Sequence, residues 1–130
     1  MASLIIIQGP NLGDYYPLGR RTVVIGRDEA CPIQILDTGV SRKHVQIRFD
    51  EGANRHIATD MRSANGVFID DRRVETEIAL RDGDEIRIGS STLIFLKADF
   101  PDRHGAFAQF RTRGERRRDT MLTPILETAA

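Results

Sequence analysis

The stretch "GVSRKHVQIRF" (residues 39–49) places four polar residues directly before an alternating apolar run. The alternation in "VQIRF" (45–49) is typical of a half-buried β-strand. The serine, arginine, lysine and histidine at 41–44 suit two different roles at the start of such a strand. They could simply face water, or they could form part of an anion-binding site, and the rest of the sequence is needed to decide.

The composition restricts the class of protein first. The chain has 130 residues, 40% of them hydrophobic, and a formal net charge of zero. This fits one domain with a modest core and some excess chain, and it argues against a disordered or a membrane class. Neutrality also argues against a surface-wide positive field for nucleic acid.

Two further features predict a cytoplasmic protein. Cys31 is the single cysteine, so it has no partner for an internal disulfide and suits a reducing compartment. The opening "MASLIIIQGP" (1–10) has no cationic start, and its apolar run is too short for a signal peptide or a membrane-spanning helix.

Short runs rich in Ile, Val and Leu recur between turn signals along residues 3–98. Eight of them are predicted as strands: "SLIIIQ", "RTVVIG", "IQIL", "HVQIRF", "HIATDM", "VFID", "EIRIG" and "STLIFLKA". The segments between them, such as "GPNLGD", "DTGVS" and "SANG", are rich in Gly, Asn and Asp. This pattern predicts an all-β sandwich over residues 3–98.

Residues 99–130 lose the alternation and predict a basic, flexible and mostly irregular C-terminal tail. The tail carries three consecutive arginines at 116–118, which usually indicates a solvated segment. Phe107 and Phe110 could form one face of a short helix or dock on the sandwich. The arginines also leave one alternative function open, a nucleic-acid-associated adaptor that would use the tail.

Three loops predict a binding site at one end of the sandwich, where loops distant in sequence meet. The polar side chains singled out in these loops include no acid. The first contributes Arg27 after Gly26, the second Ser41, Arg42 and Lys43, and the third Ser63 with the Asn65-Gly66 turn. Such a set is suited to hold an anion and not to break a bond.

These residues resemble a known family. The pair Gly26-Arg27, the motif Ser41-Arg42-x-His44, the Asn65-Gly66 turn before Phe68, and "LRDGDEIRIG" (80–89) occur in the order and spacing of the forkhead-associated (FHA) domain. The resemblance covers roughly residues 5–96. It implies an eleven-stranded β-sandwich that binds phosphothreonine peptides without catalysis.

The resemblance implies a role for each site residue. Arg27, Ser41, Arg42 and Ser63 would bind the phosphate, although Ser63 could instead brace its loop. A phosphothreonine carries almost two negative charges and three acceptor oxygens, which match a guanidinium and a hydroxyl. Asn65 would hold the main chain of the peptide, since a carboxamide both donates and accepts.

Lys43, His44 and Gly66 are predicted at the rim or as supporting residues. Lys43 would steer the ligand as a point charge. His44 beside Ser41 suggests a nucleophile and its base, but the family uses this histidine to brace the loop through hydrogen bonds. Gly66 completes the turn after Asn65.

Other chemistries find less support in the sequence. A cysteine-dependent phosphatase would need an arginine six residues after Cys31, where Asp37 stands. The three histidines show no metal-ligand spacing, so no metal or other cofactor is expected. Aromatic residues interleaved with the tail arginines, as base stacking requires, are limited to Phe107 and Phe110, which argues against nucleic acid.

The expected partner is a protein or peptide that carries phosphothreonine, with a Ser/Thr kinase or its substrate as the natural source. The tail offers two candidate phosphorylation sites of its own. Thr120 follows three arginines, and Thr123 precedes Pro124, both in a helix-poor stretch that a kinase could enter. Self-binding of a phosphorylated tail is therefore a further hypothesis.

Overall fold

The computed structural model describes residues 2–97, and all regular secondary structure in that range is β-strand. The strands are β1 (Ser3–Gln8), β2 (Tyr15–Pro17), β3 (Val23–Gly26), β4 (Ile33–Gln34), β5 (Val45–Asp50), β6 (Arg55–Asp60), β7 (Val67–Ile69), β8 (Arg72–Arg73), β9 (Glu77–Ala79), β10 (Glu85–Ile88) and β11 (Ser91–Leu96). The predicted all-β sandwich of eleven strands is confirmed. The predicted tail at 99–130, with Thr120 and Thr123, lies outside the described residues.

Two sheets form the sandwich. The six-stranded sheet has the order β2-β1-β11-β10-β7-β8, and the five-stranded sheet has the order β4-β3-β5-β6-β9. Every pairing is antiparallel except that of β3 with β4. The pairing of β1 with β11, from Ser3 opposite Leu96, joins the two ends of the described chain.

The core lies between the sheets because successive side chains of a strand point to opposite faces. Leu4 and Phe95 of the six-stranded sheet and Val45 and Ile47 of the five-stranded sheet belong to one buried cluster. Fully burying a side chain of this size contributes about 1.5–3 kcal/mol relative to leaving it exposed. This shared core holds the two sheets together beneath the loops at their ends.

The loops that carry the predicted site residues converge at one end. The backbone N–H of Arg27, just after β3, donates to the Ser41 carbonyl before β5. The N–H of Ala64, between β6 and β7, donates to the Ser41 hydroxyl. A Cβ on Gly39 would lie 3.1 Å from the Gly89 Cα in the β10–β11 turn. Four connections thus meet around residues 39–41.

Candidate functional site

The 39–44 loop is fixed against the end of β3. The N–H groups of Arg27 and Asp28 donate to the carbonyls of Ser41 and Arg42, at 3.0 and 3.2 Å. Gly26 is required at this contact, because a Cβ there would overlap the Arg42 carbonyl oxygen. The absence of a side chain at position 26 therefore lets the strand end and the loop approach each other.

Arg27 is an exposed residue whose guanidinium is held at one edge. Its Nε–H donates to the Val40 carbonyl at 3.0 Å, and no ion pair of Arg27 occurs among residues 2–97. Arg27 is therefore not paired with either of the acids that follow it in the chain, Asp28 and Glu29. The two terminal nitrogens of Arg27 stay available for an anion.

Ser41 joins two of the predicted loops. Its Oγ accepts from the Ala64 N–H at 3.0 Å, so the hydroxyl proton remains able to donate elsewhere. Ser41 is half-buried. Its hydroxyl is therefore positioned by the protein and still has a donor for a phosphate oxygen.

His44 is fully buried and connects the same two loops. Its Nδ1 accepts from the Ser41 N–H at 2.9 Å, and its Nε2 lies 2.7 Å from the Gly66 carbonyl oxygen. A carbonyl can only accept, so the ring carries its proton on Nε2. The imidazole thus bonds the backbone N–H of Ser41 and not its hydroxyl, and it links this loop to the Asn65-Gly66 turn.

Asn65 and Gly66 form the predicted turn. Gly66 has a φ of 85°, which is strained for residues with a side chain. The Nδ2 of the exposed Asn65 donates to the Gly39 carbonyl at 2.8 Å. The second N–H and the Oδ1 of this carboxamide make no hydrogen bond within residues 2–97.

Ser63 is bound within its own loop. Its hydroxyl donates to Asp60 Oδ1 at 2.7 Å and accepts from the Gly66 N–H at 3.0 Å. The same carboxylate oxygen accepts from the Ser63 N–H at 3.0 Å. Because a hydroxyl has a single proton, this geometry favours the loop-bracing alternative for Ser63 over phosphate binding.

Arg42 and Lys43 are exposed at the start of β5. Neither makes an ion pair within the described range. The backbone of Arg42 is also bound to Cys31, because the Arg42 carbonyl accepts a hydrogen bond from the Cys31 Sγ–H at 3.2 Å. Burial is the largest influence on the Cys31 thiol and raises its pKa, so this cysteine supports the loop as a neutral thiol.

Asp37 is a site residue that the sequence did not reveal. Its Oδ1 accepts from the Gly39 N–H at 2.8 Å, and its Oδ2 accepts from the Ser90 N–H and the Ser91 hydroxyl at 2.9 and 2.8 Å. Burial raises the pKa of Asp37, but these hydrogen bonds outweigh burial, and the pKa lies below its ordinary value of 3.8. The buried carboxylate ties the 39–44 loop to the β10–β11 turn.

Asp60, whose carboxylate binds Ser63, was also not identified from the sequence. A signal for it exists in the sequence, because Asp, Asn, Ser and Thr often bond the backbone a few residues away. Asp60 precedes Ser63 by three residues.

The described residues give two further findings. Within 2–97, no three His, Cys, Asp or Glu side chains lie together in a way that could hold a metal ion. The same part of the chain has no helix of the length and apolarity that a membrane crossing needs.

Family models, related proteins and solved structures all point to one protein family. The model of the FHA domain family matches residues 23–89. The glycogen accumulation regulator GarA of Mycolicibacterium smegmatis is 33% identical over 107 residues, which are 82% of this chain and 66% of that protein. The oxoglutarate dehydrogenase inhibitor of Corynebacterium glutamicum is 35% identical over 95 residues, 73% of this chain and 64% of that protein. The chain thus spans just under two thirds of these relatives.

Solved structures agree. A chain from a structural and functional analysis of phosphothreonine-dependent FHA domain interactions has a TM-score of 0.67 and 32% identity, over 76% of this chain and 98% of that chain. Mycobacterium tuberculosis EmbR, in complex with a low-affinity phosphopeptide, has a TM-score of 0.66 and 30% identity, over 76% of this chain and 25% of that chain.

Proposed function

This chain belongs to the forkhead-associated (FHA) domain family, and we propose that it binds phosphothreonine peptides at the loop end around Ser41. Support comes from the related solved chains, whose interactions are phosphothreonine-dependent in one case and involve a phosphopeptide in another. None of the comparisons supports the nucleic-acid alternative.

The observation that carries the proposal is the free donor capacity around Ser41. The terminal nitrogens of Arg27 and the hydroxyl proton of Ser41 are positioned by hydrogen bonds to the protein but not consumed by them. Arg42 and Lys43 add two exposed positive charges on the same loop. A phosphate with almost two negative charges would accept from Arg27 and Ser41, with Arg42 as a second cation and Lys43 as a steering charge at the rim.

Asn65 would select an extended peptide beside the phosphate. Its carboxamide is anchored by the bond to Gly39 and keeps one donor and one acceptor, the pair that a peptide main chain requires. Phosphate and main-chain recognition would then come from loops that Ser41 and His44 connect.

The proposed activity is binding without catalysis. Ser41 has no base on its hydroxyl, because the His44 ring is occupied by two backbone groups. The partner would be a Ser/Thr kinase or one of its substrates. A reducing compartment would suit the single cysteine, Cys31.

The direct test is the affinity of one phosphothreonine peptide, with and without its phosphate, for the wild type and Arg27→Ala. A hydrogen bond to a charged group contributes about 1.5–3 kcal/mol, so we expect a loss of roughly 10- to 150-fold. Arg21→Ala is a matched control, since Arg21 is exposed and bonds only the Pro17 carbonyl in the described chain. Equal affinity of Arg27→Ala and wild type, or binding that ignores the phosphate, would reject the assignment.

We further propose that a phosphorylated tail can occupy the same site. About 22 residues separate position 98 from Thr120, which gives a flexible chain a root-mean-square span of roughly 26 Å. An intramolecular ligand at millimolar effective concentration would compete with a micromolar external peptide. Phosphorylation of Thr120 or Thr123 should therefore weaken binding of an added phosphopeptide, and unchanged affinity after complete phosphorylation would exclude this switch.

A further inference from the structure

A second concave region lies at the other end of the sandwich. It is a cavity of about 240 Å³. It lies next to the end of β5, the start of β6, the start of β1 and the end of β11. Its lining residues are Ala2, Arg20, Phe49, Asn54, Arg55, His56, Leu80, Phe95 and Lys97. We call it the basic cavity. Its volume is just below the range of about 300–1,000 Å³ that is usual for drug-sized ligands, so it fits a smaller molecule.

Three aromatic side chains line one side of the basic cavity. The His56 ring lies between those of Phe49 and Phe95, with centroid separations of 5.0 and 5.4 Å. His56 is buried, and its Nε2–H donates to the Gly19 carbonyl oxygen at 2.9 Å. The rings are tilted by 60° and 56°, and aromatic pairs in such geometries stabilise each other beyond their buried area. His56 and Phe95 are almost fully buried, so the half-buried Phe49 ring offers most of the apolar surface to a carbon skeleton.

The rim of the basic cavity carries three cations and no carboxylate. The Arg20 guanidinium lies 5.2 Å from the centroid of the Phe49 ring, and Arg55 Nη2 donates to the Leu80 carbonyl at 3.4 Å. Lys97 is the third. None of the three makes an ion pair with a carboxylate in the described chain. Both guanidiniums are held by protein contacts and still have unused donors.

We propose that the basic cavity binds a small dianion, namely a compact organic molecule or ion with two negative charges. Two guanidiniums suit planar carboxylate or phosphate groups, and the Asn54 amide adds a neutral donor or acceptor. Dicarboxylates and phosphate esters share this chemistry. The site is separate from the loop end around Ser41 and does not depend on the proposed function.

The test is an NMR titration of the full ¹⁵N-labelled chain with succinate and, separately, with inorganic phosphate. Ionic strength is held constant, because exposed charges respond to salt alone. We expect saturating shifts of the Phe49 and His56 amides with at least one of the two anions. Binding of succinate alone identifies a dicarboxylate site, and binding of phosphate alone a phosphate-ester site.

Matched variants locate the binding. Arg20→Gln and Arg55→Gln should each weaken it about tenfold or more, since each removes a charged donor, while Arg21→Gln should leave it unchanged. Arg27→Ala should also leave it unchanged, which separates this site from the loop end around Ser41. Linear shifts without saturation for both anions would overturn the proposal. So would saturation that survives Arg20→Gln and Arg55→Gln, or that is lost in Arg27→Ala.

Discussion

His44→Ala tests whether two loops of the site are held together by one side chain. The substitution leaves the Gly66 carbonyl and the Ser41 N–H without the partners that lie 2.7 and 2.9 Å away. Gly66 is buried, so leaving its carbonyl without a partner should reduce stability by about 1–3 kcal/mol. The half-buried Ser41 N–H can bond water instead, so the loss of its partner should reduce stability by about 0.5–1.5 kcal/mol. The free energy of unfolding should therefore fall by about 1.5–4.5 kcal/mol.

Binding should fall with stability, because Ser41 and Asn65 lose their fixed relative position. The assay is urea unfolding together with titration of a phosphothreonine peptide, on His44→Ala and on His56→Ala. His56 is a matched control, since it is also buried and bonds one carbonyl, that of Gly19, at the other end. Both variants should lose stability, but only His44→Ala should lose peptide affinity.

His44→Asn separates the two bonds of the ring. Its Oδ1 can take the place of Nδ1 and accept from the Ser41 N–H, while the bond to Gly66 is lost, so its stability should lie between those of wild type and His44→Ala. Lower affinity without any loss of stability in His44→Ala would mean that His44 contacts the ligand, and the bracing role would be refuted.

Three further predictions concern single contacts. Asp37→Asn should lower the free energy of unfolding by about 1.5–3 kcal/mol at neutral pH. Because the pKa of Asp37 is lowered in the fold, the contribution of its carboxylate to stability is present above pH 3.8 and is lost as the pH falls below that value. The urea unfolding curves of wild type and variant should therefore converge in acid. Gly26→Ala should lower the free energy of unfolding, measured by thermal unfolding, by about 1–3 kcal/mol or more, because its Cβ would overlap the Arg42 carbonyl. Gly52→Ala is the control and should be close to neutral, because its Cβ would lie 3.4 Å from the Asp50 Oδ1 at the nearest. Burial, and then the charge and hydrogen bond of Asp14, raise the pKa of Tyr16 to about 12 from 10.0. The stability linked to this shift is fully present below pH 10 and is lost as the pH rises through 12, so wild type should lose more stability over that interval than Tyr16→Phe.

The strands that contain buried aliphatic residues could be predicted from the sequence, and the strands without them could not. All eight predicted strands occur, because each contains aliphatic residues that fill the core. The pattern missed β2, β8 and β9. These strands have two or three residues, none of them buried, so they have no apolar periodicity to detect. The number eleven came from the family resemblance alone.

The site shows the same division between local and long-range information. Loop motifs indicated which residues would meet around Ser41, and the structure brings Arg27, Ser41 and Asn65 together. The role of Asp37 was not predictable, because its partners Ser90 and Ser91 are 53 and 54 residues away in the chain. Ser63 could not be assigned from its hydroxyl alone, since the outcome depends on where Asp60 lies.

The Asp37 carboxylate has a consequence for protein engineering. It links the 39–44 loop to the β10–β11 turn, while Asn65 links that loop to the β6–β7 connection. A graft of residues 39–44 alone into another β-sandwich would carry the cations but leave their supports behind. A transplant that keeps the geometry has to move four segments, 26–28, 37–44, 60–66 and 89–91, onto a scaffold with the same spacing between its sheets.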